Sequence, residues 1–182
     1  MIEALYFIVS ALGQLVMLVF LMRFWMPLTR ADFRNPLAQA ILKITSPAIV
    51  PLRRLLPSVG RVDTATVVVL LVLQTLLVLL LLQLRGASFP PLDVALVVVL
   101  ELAIRSLYLF FFVILLSVIL SWLAPQAYNP VIAMIGSMAE PVLRPFRRLV
   151  PTVGGLDISP VFAIILLQAG VILLQSLRPF AV

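Results

Sequence analysis

The chain has 182 residues, 64% of them hydrophobic and 11% charged, with a mean hydropathy of +1.25. A soluble domain needs roughly a quarter of its residues charged, so this composition belongs in lipid. With neither Cys nor His, the chain lacks disulfides, a thiol nucleophile, an imidazole base and the commonest transition-metal ligands. Its net charge of +6 marks membrane topology rather than nucleic-acid contact, because no exposed aromatics interleave the arginines.

Four apolar runs are long enough to cross about 30 Å of hydrocarbon, which takes roughly 20 residues of helix. The first is Ala4–Met22, which carries no charge. It resembles a signal peptide only superficially: Glu3 stands where a basic region belongs, and no small-x-small cleavage site follows. The second, Thr64–Leu84, is almost pure Val and Leu. The third is Ser106–Leu123 and the fourth Ile158–Leu177.

Lys and Arg fall unevenly between them. Arg23, Arg30, Arg34, Lys43, Arg53, Arg54 and Arg61 lie between spans one and two, and Arg144, Arg147 and Arg148 between spans three and four. The link between spans two and three holds only Arg85, against Asp93. The positive-inside rule predicts that both long connections are cytoplasmic and both chain ends outside. Trp25 and Trp122 would sit at the cytoplasmic headgroups.

Displacing the chain by 94 residues superposes it on itself without a gap. Asn35-Pro36, Pro47, Pro51, Arg53-Arg54-Leu55, Pro57, Val59-Gly60, Asp63 and Gln74 meet Asn129-Pro130, Pro141, Pro145, Arg147-Arg148-Leu149, Pro151, Val153-Gly154, Asp157 and Gln168. The fold class expected is therefore an all-α membrane protein, four transmembrane helices arranged as two parallel tandem helical hairpins. Repeat one covers 1–84, an outer link 85–100, and repeat two 101–182. Parallel copies predict a pseudo-twofold axis along the membrane normal.

Each copy carries an apolar cytoplasmic segment, 35–57 and 129–151. Leu37, Ala40, Ile41 and Ile44 recur at helical spacing, as do Val131, Met134, Ile135 and Met138. These predict amphipathic interfacial helices capped by Asn35 and Asn129 and broken at Pro47, Pro51, Pro141 and Pro145. A re-entrant loop is the competing shape.

The double motif of Asn-Pro, spaced prolines and Arg-Arg-x-x-Pro-x-x-Gly-x-x-Asp before a span resembles the YggT (also called YlmG) family of bacterial and plastid membrane proteins. The second copy has the fuller Asp157-Ile-Ser159-Pro160, whereas the first reads Asp63-Thr-Ala-Thr66. The resemblance implies no settled reaction. Family members are associated with cell division and envelope organisation, with cytochrome maturation in chloroplasts, and with osmotic and potassium-related phenotypes.

Physically, Asp63 and Asp157 are placed to cap the following span, and Gly60 and Gly154 to supply positive φ just before it. Arg53, Arg54, Arg147 and Arg148 admit three readings: topology anchors, a site for anionic lipid headgroups or an acidic partner segment, or ion pairs with the Asp across the turn. Gln74 and Gln168 lie eleven residues past their Asp, about 16 Å deep. They are expected to hydrogen-bond each other, with pore lining the alternative. Ser117 with Ser121, and Ser10 with Gly13 and Gln14, predict close helix contact. Glu101 and Arg105, four apart, predict an ion pair at the outer interface, with Val94–Leu100 an extra turn or surface helix.

No cofactor, metal or catalytic group is expected, and the chain is read as no enzyme. Membrane lipids, other membrane proteins or further copies of itself are the partners expected. The leading functional expectation is a scaffold or assembly factor for a membrane complex. The alternative is an oligomeric channel or an accessory to potassium uptake, since four spans alone do not enclose a water-filled path.

Overall fold

A computed structural model describes residues 1–123, 129–150 and 157–180. It contains six helices: α1 Ile2–Leu28, α2 Pro36–Arg53, α3 Thr64–Leu84, α4 Pro91–Leu123, α5 Pro130–Leu149 and α6 Ser159–Ser176. Four of them, α1, α3, α4 and α6, are long and apolar enough to cross a membrane. The architecture is the all-α membrane fold that the composition demands.

Two of the expected spans are longer than their apolar runs. Arg23 does not end α1, which continues to Leu28 because Phe24, Trp25 and Met26 keep packing inward. On the other side, α4 begins at Pro91 rather than Ser106, so Val94–Leu100 is extra turns of the span's own helix and not a surface helix. Val94, Val97 and Val98 pack on Val78 and Leu82 of α3, so apolar burial carries the helix straight through Glu101 and Arg105.

The prolines of α2 and α5 do not break these helices. α2 runs through Pro47 and Pro51, and α5 through Pro141 and Pro145. Each proline removes one backbone hydrogen bond. Within each pair the residues stand four apart on one face, and all four are exposed. The opposite face holds the helix: Ala38, Ile41, Thr45 and Ile49 are buried on α2, and Met134, Met138, Ala139 and Leu143 on α5. The buried stripe of α2 is rotated from the one expected, leaving Ala40 and Ile44 outward. Neither helix contains the reversal that a re-entrant hairpin needs.

Both segments join the same apolar core as the spans, which runs from Met17 and Leu21 through Val69 and Leu70 to Val113, Ile114 and Ala163. α3 packs against α1 and α4, and half of its apolar window is buried, against 17% for α1. Within each repeat the two spans approach closely at a glycine. A Cβ on Gly13 would lie 2.4 Å from Leu77, and one on Gly170 would lie 3.3 Å from Leu107. Ser117 is half-buried, bonding only the Ile114 carbonyl of its own helix at 2.9 Å, and Ser121 is exposed, so that pair makes no close contact.

Trp25 is an inter-repeat contact: its Nε1 donates to Ser106 Oγ at 3.2 Å and its ring stands edge-on to Phe110 at 4.8 Å. The Trp122 side chain lies outside the described residues.

Candidate functional site

The helices α2 and α5 meet at their N-terminal caps. Asn35 and Asn129 each precede a proline at the first helical position, where a missing N–H costs nothing. The Asn35 carboxamide oxygen accepts from Leu37 N at 2.8 Å, and that of Asn129 from Val131 N at 2.9 Å. Asn35 is buried, and its Nδ2 donates to the carbonyl of Pro130, tying one repeat's cap to the other.

Past α2 the chain reverses in a tight turn. Val59 and Val62 exchange backbone hydrogen bonds of 3.0 Å around Gly60, whose φ of 61° suits a residue without a Cβ. Thr64 Oγ1 donates to the carbonyl of Pro57 at 2.8 Å, so Pro57 braces the start of α3. Pro151 and Gly154, the counterparts in repeat two, lie outside the described residues.

Arg53 and Arg147 do not stand free. Arg53 pairs with Asp63. Arg147 pairs with Asp157, Nε to Oδ2 at 2.8 Å, and with Glu140. The Arg–Asp pair across the turn is thus formed in both repeats. Burial would raise the Asp63 carboxyl, but hydrogen bonds from Arg53 and Thr66 outweigh it and hold it below the usual carboxylate range. At Asp157 burial is likewise overcome by the Ser159 hydroxyl and by Arg147. The same carboxylates raise Arg147 against its own burial.

As helix caps the two acids differ. Asp157 Oδ1 accepts from Ser159 N at 2.9 Å and from Ser159 Oγ at 2.5 Å, just before Pro160 in the first turn of α6. Asp63 makes no side-chain cap to a backbone amide. Its Oδ2 accepts from Thr66 Oγ1 at 2.8 Å and its Oδ1 is buried without a partner. The remaining member of each Arg-Arg pair, Arg54 and Arg148, is exposed and makes no ion pair or hydrogen bond among the described residues.

Arg23 was counted from sequence as a loop charge, and it is instead 5% exposed inside α1. Its Nη1 donates to Thr45 Oγ1 at 2.7 Å, to Ser46 Oγ at 3.1 Å and to the carbonyl of Leu42 at 3.1 Å. It pins α2 to the first span just ahead of Pro47. The apolar residues on both sides of Arg23 were the signal that could have placed it.

The intramembrane amides do not pair. Gln74 is fully buried with neither amide atom bonded, and α3 and α6 do not pack on each other because α4 stands between them. Gln168 is half-buried. Gln14 on α1 bonds Ser10 of its own helix at 3.0 Å. Glu101 and Arg105 do approach, Oε2 to Nε at 3.6 Å, but Glu101 is 7% exposed and its other oxygen accepts from Arg178 Nη1 at 2.5 Å. The expected Glu101–Arg105 ion pair is present, and it is part of an enclosed cluster of three charges completed by the segment after α6.

Fold and motif together define a multi-pass helical membrane protein of two repeats, each a pair of spans carrying a docked helix with two internal prolines. A family model described as CCB3/YggT matches residues 2–84 and again 95–178. An uncharacterised protein of Pseudomonas aeruginosa is 43% identical over 164 residues, covering 89% of this chain and 83% of that one. The uncharacterised protein YggT of Escherichia coli is 35% identical over 166 residues, 91% of this chain and 86% of its own. A chloroplastic YlmG homologue of Arabidopsis thaliana is 31% identical over 84 residues, 46% of this chain and 33% of that one. No solved structure matches. The chain belongs to the CCB3/YggT family.

Proposed function

We propose that this protein is a non-enzymatic scaffold of the bacterial cytoplasmic membrane that organises a membrane-protein complex. One observation carries the reading: within each Arg-Arg pair one guanidinium is spent on the turn and the other is left outward. Arg53 and Arg147 hold their Asp, while Arg54 and Arg148 project from rigid, core-packed helices. Two such charges on a preorganised surface suit anionic headgroups or an acidic segment of a partner. The positive-inside rule puts this face in the cytoplasm and both chain ends outside. A conducting path within one chain has less support, since Gln74 is enclosed and lines none of the four cavities described.

The test is affinity recovery from native membranes in a mild detergent, comparing wild type with the Arg54→Gln/Arg148→Gln double variant. Proteins and lipids are identified by mass spectrometry. A near-stoichiometric membrane protein recovered with wild type and lost from the variant is the expected result. Identical recovery from both, with insertion unchanged, would overturn the proposal.

A further inference from the structure

A groove of about 590 Å³ runs between α1 and α4, away from the cytoplasmic arginines. Its walls are apolar, with Leu15 and Leu18 from α1 and Phe112 from α4, and the polar groups that reach it are Gln14, Arg105 and Tyr108. That volume lies within the about 300–1,000 Å³ typical of ligand sites.

The electrostatics of the groove are unbalanced. Glu101 faces two guanidinium groups, so the cluster sums to −1 + 1 + 1 = +1. Arg178 takes the hydrogen bond, 2.5 Å to Oε1, while Arg105 stands 3.6 Å from Oε2, beyond hydrogen-bond reach. Arg105 Nε is buried without a partner, and its Nη groups bond no acceptor among the described residues. Neither α6 nor the part of α1 beyond Glu3 contains another acid, and Asp93 lies three turns back along α4. A guanidinium in an apolar wall without its own counter-charge is costly unless an anion is supplied.

We propose that this groove binds an anionic phospholipid, its phosphate on Arg105 with Gln14 and Tyr108 beside it, and an acyl chain against Leu15, Leu18 and Phe112. The groove opens sideways between two helices that are long and apolar enough to span a bilayer, so its occupant comes from the bilayer. Acyl chains match its walls, and a phosphate supplies the one missing negative charge. A guanidinium accepts such a headgroup with two parallel N–H donors.

The experiment is native mass spectrometry of protein released from nanodiscs of equal phosphatidylglycerol and phosphatidylcholine with matched chains. Wild type is expected to retain phosphatidylglycerol in preference. Arg105→Gln should lower the retained phosphatidylglycerol-to-phosphatidylcholine ratio about fivefold, the weight of one arginine on an anionic lipid. Leu18→Trp, which fills the groove and leaves every charge in place, should remove the retained lipid altogether and decides the matter if Arg105→Gln fails to fold. The comparison is repeated in the Arg54→Gln/Arg148→Gln background, where the loss on Arg105→Gln should persist, which separates the groove from the face that carries those two arginines. A wild-type protein with no headgroup preference, or a ratio and lipid count unaltered in both groove variants, would overturn the proposal.

Discussion

The two repeats share a backbone plan and differ in how they hold it. In repeat one α2 is fastened from inside, by Arg23 reaching out of the first span to Leu42, Thr45 and Ser46. Repeat two has no such arginine, because the matching end of α4, Val113–Leu123, carries no charge. Position 140, the counterpart of Ser46, is a Glu that pairs outward with Arg147. One copy spends a buried cation on anchoring; the other keeps its charges at the surface. Both copies thus share the Asn caps and the prolines within the helix, while the tie between helix and span differs.

The comparison is broken most forcefully at Arg23. Arg23→Ala removes three charged hydrogen bonds from a buried site and should lower stability by about 3 kcal/mol. The matching Ser117→Ala should stay within about 0.5 kcal/mol. Denaturant unfolding in detergent measures both, and equal losses would erase the distinction drawn between the repeats.

The amides sharpen it next. Gln74 is enclosed and unpaired, so Gln74→Leu should raise stability by about 1–3 kcal/mol, the desolvation penalty of an unsatisfied polar group. Gln168→Leu, at a half-buried position on α6, should change the same unfolding midpoint little. A loss on Gln74→Leu would mean that the amide serves a partner.

The smallest effect tests what the repeats share. Both Asp63 and Asp157 titrate below their ordinary range in the folded protein. An acid whose folded pKa is depressed contributes stability above its unfolded value, about 3.9, and loses it as pH falls through the folded value. Thermal midpoints should therefore hold from pH 7 to about 5 and decline below about 4, by about 1 kcal/mol for each turn. The Asp63→Asn/Asp157→Asn variant should flatten that decline, and an unchanged profile would show that other groups govern it.

Much of this was readable without coordinates. Local chemistry placed the Gly60 turn and held the Asn caps and the Arg–Asp pair among its open readings, because each depends on residues within about ten positions of one another. Apolar run length located α3 and α6 to within a residue, since neither has a charge inside it. The prolines misled because a helix break is a local penalty. Packing of Ile41, Ile49, Met138 and Leu143 on the spans overrode it at a distance in sequence that no window contains.

What the sequence by itself determined is the membrane class, the duplication and the chemistry of the two turns, all properties of short stretches and of composition. Only the tertiary structure decided the burial of Arg23 and the meeting of Glu101 with Arg178, 77 positions apart. Those depend on which helix faces which. In an apolar chain, where nearly every face of a span is equally hydrophobic, periodicity carries no signal to say so.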